Sequence, residues 1–285
     1  MSSSERIIRL IEAVVSHQHT GIRFAEIVEE TRIAKATVHR LLGELIDLGI
    51  LTFSFESKRY RASLKLASLG AGVIANFDLR NHVHPQLIKL HQETKHTCNM
   101  GIKQGDVGIY ADKIESQDYG IKLFSEVGKT FPLYCTALGK VLLANGPAEE
   151  RKRILSLPMK PFTSKTITEP RQLMQQLATV REQGYALDSE EITRGIICIA
   201  APVFGPHENI ICAISVTFPA YLAEDRGIEA DIEAIKRHAA AISGITANTG
   251  QAASNSERIL KWKSDMPFIP TRPCISTRRS CGSIS

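Results

Sequence analysis

The sequence has no hydrophobic run long enough to cross a membrane. Its longest apolar runs, IICIAAPVF and IICAISVTF, fall well short of the roughly 20 residues that a transmembrane helix needs. The N-terminal MSSSERIIRLIEAV has no basic segment followed by a hydrophobic core and a small-residue cleavage site, so we expect no secretory signal. We therefore expect a cytoplasmic protein without membrane contacts.

The sequence also lacks the short motifs of common catalytic and metal sites. Its six cysteines form no CxxC pair and no zinc-ribbon or disulfide-framework spacing, so we expect reduced thiols. No P-loop, GxSxG, HExxH or kinase motif set occurs. Zinc ligands could come from one local cluster, for which surface positions on a helix are the preferred interpretation: His82, His84, His91, His96 and Cys98. We therefore predict no catalytic residue, no metal and no cofactor, with an enzyme acting on a small acid as an alternative.

Positive charge is unevenly distributed along the 285 residues, whose net charge is +5. Residues 250–285 carry six Lys or Arg against two acidic residues, whereas residues 1–65 carry ten against eight. The overall charge is therefore a weak argument for nucleic-acid binding, and the position of the N-terminal cations matters more. The length suits two domains of ordinary size.

Residues 1–65 have the pattern of three helices and a β-hairpin. In RIAKATVHRLLGELIDLGIL, apolar residues recur at spacings of three, four and three, which predicts a helix with one buried face. These residues are Val38, Leu41, Leu45 and Leu48. Gly49 is placed to end the helix, and LTFSFESKRYRAS then predicts two strands around ESK. With the two preceding helices, these elements predict a winged helix-turn-helix domain over 1–65.

The polar residues of the third helix and of the hairpin are candidates for DNA contacts. In a helix-turn-helix the second helix of the pair lies in the major groove, with its N-terminal residues against bases and phosphates. Arginine suits bidentate contact with guanine, and threonine and lysine can reach phosphate or base. The predicted DNA-binding residues are Lys35, Thr37, His39, Arg40, Lys58, Arg59 and Arg61. The alternative is an amphipathic surface helix with a solvated polar face.

The rest of the chain predicts a linker helix and a second domain. The segment after the hairpin looks helical, but the sequence GAG and Pro85 interrupt it, so we predict a linker helix over 66–80. TCNMGIK, VGIYADKIES, GIKLFSEVG, YALDSEE and the two apolar runs predict strands, with helices among them. The fold class is therefore α+β, with an antiparallel sheet covered by helices over 81–248. Residues 249–285, rich in serine and proline, are expected to be disordered.

Four motifs, in order, resemble the IclR family of bacterial transcriptional regulators. The N-terminal signature appears as RIAKATVHRLLGELIDLGIL followed by KRYRASLKLASLG, and the C-terminal signatures appear as FPLYCTALGKVLLA and GYALDSEEITRGIICIAAPVF. The resemblance extends from residue 5 to about residue 247. It implies a winged helix-turn-helix domain joined by a linker helix to a GAF-like effector-binding domain. It also implies a homodimer or a dimer of dimers that binds double-stranded operator DNA.

The resemblance implies a small organic acid as effector, bound in a pocket of the second domain. The positions that match the family's pocket are Leu123, Phe124, Thr136, Ala137, Asp188, Cys198, Ser215 and Thr217. Helix-start amide groups near Thr136 and Ala137 suit a carboxylate. From the residues alone, Cys198 is more typical of a small core residue than of a reactive thiol, and Asp188 is more typical of a solvated acidic turn than of a pocket.

The loop and strand motifs resemble those of the sugar-acid-responsive branch of the family, whose members respond to compounds such as 2-keto-3-deoxygluconate or pentonate catabolites. We therefore expect a DNA-binding transcriptional regulator of a carbohydrate or sugar-acid catabolic operon, with repression as the favoured sign of control. The alternatives are a regulator of aromatic-acid or glyoxylate metabolism, and a ligand-binding module whose contacts are with protein only.

Overall fold

The computed structural model describes residues 1–75, 78–119, 125–205 and 208–249. Its N-terminal part contains the helices α1 (Ser3–Ser16), α2 (Phe24–Thr31) and α3 (Lys35–Asp47). Three short strands, β1 (Ile22–Arg23), β2 (Leu51–Ser54) and β3 (Arg59–Ala62), form an antiparallel sheet in the order β1-β3-β2. The predicted winged helix-turn-helix is confirmed, and β1 is an additional strand that the sequence pattern did not predict.

The core of this domain is formed by side chains from all three helices and the sheet. Its buried members are Leu10, Val14, Ile22, Ile27, Ile33, Val38, Leu41, Leu42, Leu45 and Leu51. The prediction that Leu48 is buried is wrong, because α3 ends at Asp47 and the side chain of Leu48 is 60% exposed. Gly49 turns the chain there with a positive φ of 70°, which glycine adopts at no steric cost.

The next two helices are α4 (Leu64–Ala75) and α5 (Asp78–Thr94). The prediction that Pro85 interrupts the helical pattern is wrong, since Pro85 lies inside α5, and the sequence GAG does not end α4 before Ala75. A proline inside a helix costs about 3 kcal/mol. The fully buried Val83, Leu87 and Leu90 pack α5 into the core, and this burial offsets the cost.

The C-terminal part contains a six-stranded antiparallel sheet, which confirms the predicted fold class. Its strands follow the order β6-β5-β4-β9-β8-β7. Their bounds are β4 (Thr97–Gln104), β5 (Val107–Ile114), β6 (Thr130–Pro132), β7 (Ala186–Ser189), β8 (Ile196–Phe204) and β9 (Ile210–Pro219). The prediction of a strand in GIKLFSEVG is wrong for residues 125–128, which form a loop, and residues 120–124 lie outside the described residues.

Helices cover both faces of this sheet. They are α6 (Ala137–Asn145), α7 (Ala148–Leu155), α8 (Pro170–Gln183), α9 (Ala220–Arg226) and α10 (Glu229–Thr249). One face packs against α5 and α10, and the other packs against α6 and α8. Because both faces are covered, β8 and β9 can be almost continuously apolar.

The expected disorder of the tail concerns residues that lie, apart from residue 249, outside the described residues. No helix among the described residues is long and apolar enough to span a membrane.

Candidate functional site

The predicted recognition helix α3 is anchored on one side and open on the other. Val38, Leu41 and Leu45 are buried in the N-terminal core, as predicted. Lys35, His39 and Arg40 are exposed, and Thr37 is half-buried. Arg40 forms an ion pair with Glu44 on the next turn of the helix. The polar residues therefore lie on the side of α3 that faces away from the core.

The start of α3 offers backbone donors as well as side chains. Its N-cap residue, Ala34, provides no side-chain hydrogen bond to the first turn. The first amide groups of a helix have no partner within the helix and carry the positive end of its dipole. The N-terminal end of α3 therefore suits a phosphate oxygen as acceptor.

The hairpin cations have different surroundings. Arg59 Nη1 donates to the Gly21 carbonyl at 2.6 Å, and Arg61 Nη2 donates to the Thr20 carbonyl at 3.2 Å. These two side chains therefore tie the hairpin to the turn after α1, in addition to any contact with DNA. Lys58 is exposed at the hairpin turn, where its Nζ lies 5.9 Å from the ring centroid of Phe55.

A cavity of about 230 Å³ lies in the C-terminal domain, where the sheet meets the start of α6. This volume is below the roughly 300–1,000 Å³ of sites for drug-sized ligands, so it suits a small metabolite. Six of the eight predicted pocket residues line it together: Thr136, Ala137, Asp188, Cys198, Ser215 and Thr217. The other two, Leu123 and Phe124, lie outside the described residues.

Strand register explains why these residues meet. Asp188 on β7 pairs with Cys198 on β8, and Cys198 pairs with Thr217 on β9. Directly paired residues lie on the same face of a sheet, and residues two apart on one strand share a face. Ser215 therefore lies beside Thr217 on this face.

Several cavity residues were missed by sequence reasoning. The polar ones are Asn99, Tyr110, Ser125 and Thr193, and the apolar ones are Leu138, Ile192 and Ile196. Asn99 is a polar residue within the predicted strand TCNMGIK, which was a signal for a functional position. The sequence does not show which strand lies beside it, so Asn99 could not be assigned to the pocket. Asn99 pairs with Ser215 across β4 and β9, a contact between residues far apart in the chain.

The start of α6 forms one end of the cavity. Thr136 is the N-cap residue, and its Oγ1 accepts from the Gly139 amide at 3.0 Å and donates to the Pro132 carbonyl at 2.7 Å. The preceding loop crosses closely over the helix, since a Cβ on Gly139 would lie 2.4 Å from the Leu133 carbonyl oxygen. The backbone donors of this helix start therefore lie at the cavity wall, where they suit a carboxylate.

The cavity wall has an acidic group and no basic side chain among the described residues that line it. Asp188 is buried, and its Oδ1 accepts from the Glu191 amide at 2.7 Å. Burial raises the pKa of Asp188 to about 7, although the hydrogen bond from the Glu191 amide acts in the opposite direction. Asp188 can therefore exchange a proton near neutral pH and serve as either donor or acceptor to a ligand.

A buried ion pair lies next to the chain segment that carries Asp188. Lys140 of α6 is fully buried, and its Nζ donates to the Leu187 carbonyl at 3.1 Å and pairs with the carboxylate of Glu191. Burial raises the pKa of Glu191, and the positive charge of Lys140 partly counteracts this effect. The pair thus connects α6 to the turn after β7.

We expect Asp188→Asn to stabilise the protein at about pH 8 by roughly 1–3 kcal/mol, because the parent must then hold a buried carboxylate. The folded carboxyl group binds its proton between its usual pKa near 4 and about 7, so the free energy of unfolding of the parent falls as the pH rises through this range. Urea denaturation at several pH values measures this difference, which should close toward about pH 4. A pH-independent difference would contradict the prediction.

Cys198 contacts the cavity but is not poised as a nucleophile. The Thr217 hydroxyl lies 3.3 Å from its Sγ. Burial raises the pKa of the Cys198 thiol far above its ordinary value, and the thiolate is the reactive form of cysteine. Cys198 is therefore a neutral thiol that contributes shape and weak polarity to the wall.

Histidines near the start of the C-terminal domain have partners within the protein. No group of three or more potential metal ligands occurs among the described residues. The interpretation of these histidines as surface residues is wrong for His96, which is buried, stacks on Phe218 and pairs with Asp231. His84 contacts the buried carboxylate of Asp112 at 2.6 Å, so both histidines have structural partners.

Two family descriptions match separate parts of the chain. The family description "IclR helix-turn-helix domain" matches residues 3–54. The description "Bacterial transcriptional regulator IclR C-terminal" matches residues 71–244, which is more than half of the chain.

Individual relatives show the same similarity over most of their length. The chain is 37% identical over 220 residues to the HTH-type transcriptional regulator KdgR of Escherichia coli K12, covering 77% of this chain and 82% of KdgR. The crystal structure of Thermotoga maritima IclR aligns with a TM-score of 0.63 and 29% identity, covering 86% of this chain and 98% of that one. An IclR homologue of Microbacterium hydrocarbonoxydans, complexed with 4-hydroxybenzoate, aligns with a TM-score of 0.71 and 20% identity, covering 87% and 100%.

Proposed function

Because the chain belongs to the IclR family of bacterial transcriptional regulators, we propose that it represses a carbohydrate or sugar-acid catabolic operon under the control of a small carboxylated metabolite. The observation that carries the effector part is the cavity, which gathers residues from β7, β8, β9 and the start of α6. The similarity to KdgR supports placing the chain with the KdgR-like members of the family. The sugar-acid effector is proposed on the basis of that placement.

The proposed DNA contacts come from α3 and the hairpin. The residues proposed to enter the major groove are Lys35, Thr37, His39 and Arg40. Lys58 is proposed to contact the DNA backbone beside that groove. Arg59 and Arg61 are proposed to approach the DNA phosphates from the hairpin, which their hydrogen bonds hold against the turn after α1. In this arrangement the apolar face of α3 sets the angle at which its polar face meets DNA.

The proposed control works through a population shift in a homodimer or a dimer of dimers. A dimer reads two half-sites about 34–36 Å apart, or multiples of this distance. An effector that binds one relative placement of the two winged domains more tightly shifts the population toward that placement. Coupling of this kind is typically about 1–3 kcal/mol, which is enough to release an operator.

A second candidate effector class is aromatic acids. The cavity includes the ring of Tyr110 and the apolar side chains of Leu138, Ile192 and Ile196. The relative from Microbacterium hydrocarbonoxydans carries 4-hydroxybenzoate. An aromatic ring would pack against this apolar part of the wall.

A thermal-shift screen against sugar acids, keto acids and aromatic acids tests the proposal. A ligand at about 100 times its Kd adds roughly 2.7 kcal/mol to the free energy of unfolding, so we expect a sugar acid to raise the Tm clearly. Thr217→Val removes the hydroxyl group that donates to Cys198 Sγ in the cavity wall, and this loss of a wall contact should reduce the shift. Thr179→Val, on the exposed side of α8, is the matched control and should leave it unchanged.

The screen separates the candidate classes. If only an aromatic acid or a glyoxylate-like acid raises the Tm, the sugar-acid assignment is wrong and the effector cavity stands. If no acid raises the Tm, the assignment of the cavity as an effector site is wrong. A compound that raises the Tm should then change binding of the protein to promoter DNA.

A further inference from the structure

Two polar side chains at the cavity wall have atoms without a hydrogen-bond partner. Asn99 and Ser125 line the cavity and are only 2% and 7% exposed. Neither Asn99 Oδ1 nor Ser125 Oγ has a partner among the described residues. Buried polar groups are nearly always hydrogen bonded, and an unpaired one is costly. Their position at a cavity therefore points to a polar partner that a ligand supplies.

Other hydroxyl groups of the same wall are already engaged within the protein. Thr136 Oγ1 both accepts from the Gly139 amide and donates to the Pro132 carbonyl. The hydroxyl of Thr217 donates to Cys198 Sγ. The contrast distinguishes side chains whose hydrogen bonds hold the wall together from Asn99 and Ser125, which each have a buried polar atom without a partner among the described residues.

Strand register separates Asn99 from the acidic end of the cavity. Asp188 lies on β7 and Asn99 on β4, with β8 and β9 between them. Three strand spacings of about 4.8 Å correspond to roughly 14 Å across the sheet. The cavity therefore has a polar group near β7, Asp188, and another near β4, Asn99. A ligand with one polar end would leave one of these two groups without a ligand partner. A chain that carries hydroxyl groups along its length would satisfy both.

On the basis of the proposed effector site, we propose that Asn99 and Ser125 are specificity-determining residues that hydrogen-bond hydroxyl groups of the effector. The cavity then selects a polyhydroxylated acid over an unsubstituted acid of the same chain length. An unsubstituted acid offers no hydroxyl group to Asn99 Oδ1 or Ser125 Oγ, so these buried atoms stay without a hydrogen-bond partner. Each buried group left unpaired in this way corresponds to a loss of roughly 5- to 150-fold in affinity.

Calorimetric titration of the full chain with two matched series of acids tests this proposal. One series is D-gluconate, D-xylonate and D-threonate, and the other is hexanoate, pentanoate and butanoate. The variants are Asn99→Leu, which keeps the number and branching of the side-chain heavy atoms and removes the amide, and Ser125→Ala, which removes only a hydroxyl group. Ser156→Ala, at the exposed end of α7, is the control.

The expected result is that the parent and Ser156→Ala prefer a hydroxylated acid to its unsubstituted counterpart. Asn99→Leu and Ser125→Ala should each reduce that preference by roughly 5- to 150-fold, with affinity for the unsubstituted acid kept or increased. If Asn99→Leu does not fold, Ser125→Ala alone decides the result by the same criterion.

Several results would overturn the proposal, and they differ in what else they overturn. Equal affinity of the parent for both series, or an equal loss for both series in the variants, removes the specificity role and leaves the effector site intact. If the parent binds neither series, while another acid raises its Tm, the selection for polyhydroxylated acids is wrong. If no acid of any class binds, the proposed effector function is wrong as well.

Discussion

Affinity for operator DNA is expected to fall by roughly 10³- to 10⁵-fold between about 50 and 200 mM salt, if a dimer neutralises roughly six to ten phosphates. The cations of α3 and the hairpin, together with the uncapped start of α3, supply donors for these phosphates. Each neutralised phosphate releases counterions, so the logarithm of the affinity falls linearly with the logarithm of the salt concentration. Fluorescence anisotropy with a duplex selected from a random library measures this slope.

Two substitutions on α3 should act differently in the same experiment. Lys35→Ala should weaken binding to all sequences and lower the slope by about one for each phosphate that is no longer neutralised. Arg40→Ala should weaken binding to the selected duplex by about 1–3 kcal/mol and relax its sequence preference, as expected for a base contact. Neither change should affect effector binding. The control is Lys152→Ala, at an exposed position of α7 in the other domain.

The recognition-helix assignment is wrong if Arg40→Ala and the parent bind the selected duplex equally at matched salt. A shallow salt dependence in the parent would favour the alternative in which the N-terminal domain contacts only protein. Because Arg40 pairs with Glu44 in the free protein, this variant also removes an exposed ion pair. Such a pair is worth only about 0.3–0.5 kcal/mol, so it does not obscure the result.

Lys140→Ala is expected to reduce the free energy of unfolding by about 3–5 kcal/mol. The ammonium group of Lys140 is fully buried and pairs with Glu191. Its removal leaves a carboxyl group in the core without its charged partner, and Glu191 Oε2 already has no hydrogen-bond partner among the described residues. Urea denaturation measures the loss, and the comparison is valid if the m-value stays unchanged.

Two further variants show whether the loss comes from the broken pair. Lys152→Ala breaks an exposed pair with Glu149, and its effect should stay within about 1 kcal/mol. The double variant Lys140→Met with Glu191→Leu replaces both charges by apolar side chains, and it should recover most of the stability. A loss in Lys140→Ala no larger than that in Lys152→Ala would contradict the prediction.

The pair was not identified from the sequence because it depends on two distant segments. Lys140 belongs to the apolar helix ALGKVLLAN and Glu191 to an acidic turn. In isolation, each is an ordinary solvated charge of a surface element. Tertiary packing of α6 against the turn after β7 removes both from water, so local pattern does not reveal their burial.

Leu48 and Pro85 show where local pattern misleads. Helical spacing placed Leu48 on the buried face of α3, but the helix ends one residue earlier and leaves the side chain in solvent. The usual effect of proline predicted a break at Pro85, but burial of the α5 side chains on both sides of it outweighs the local cost. In both cases the outcome depends on contacts outside the pattern.

The sequence by itself determined the winged helix-turn-helix, the antiparallel class of the second domain and the six matched cavity residues that the structure brings together. Periodicity of apolar residues and recognisable motifs are local properties of the sequence, so they can be identified before the fold is known. Tertiary structure alone decided that Asn99 lies beside Ser215, that Ser125 reaches the same cavity, and that Asp188 is buried enough to raise its pKa. Strand register and burial are set by which distant segments pack together, and a linear pattern does not contain this information.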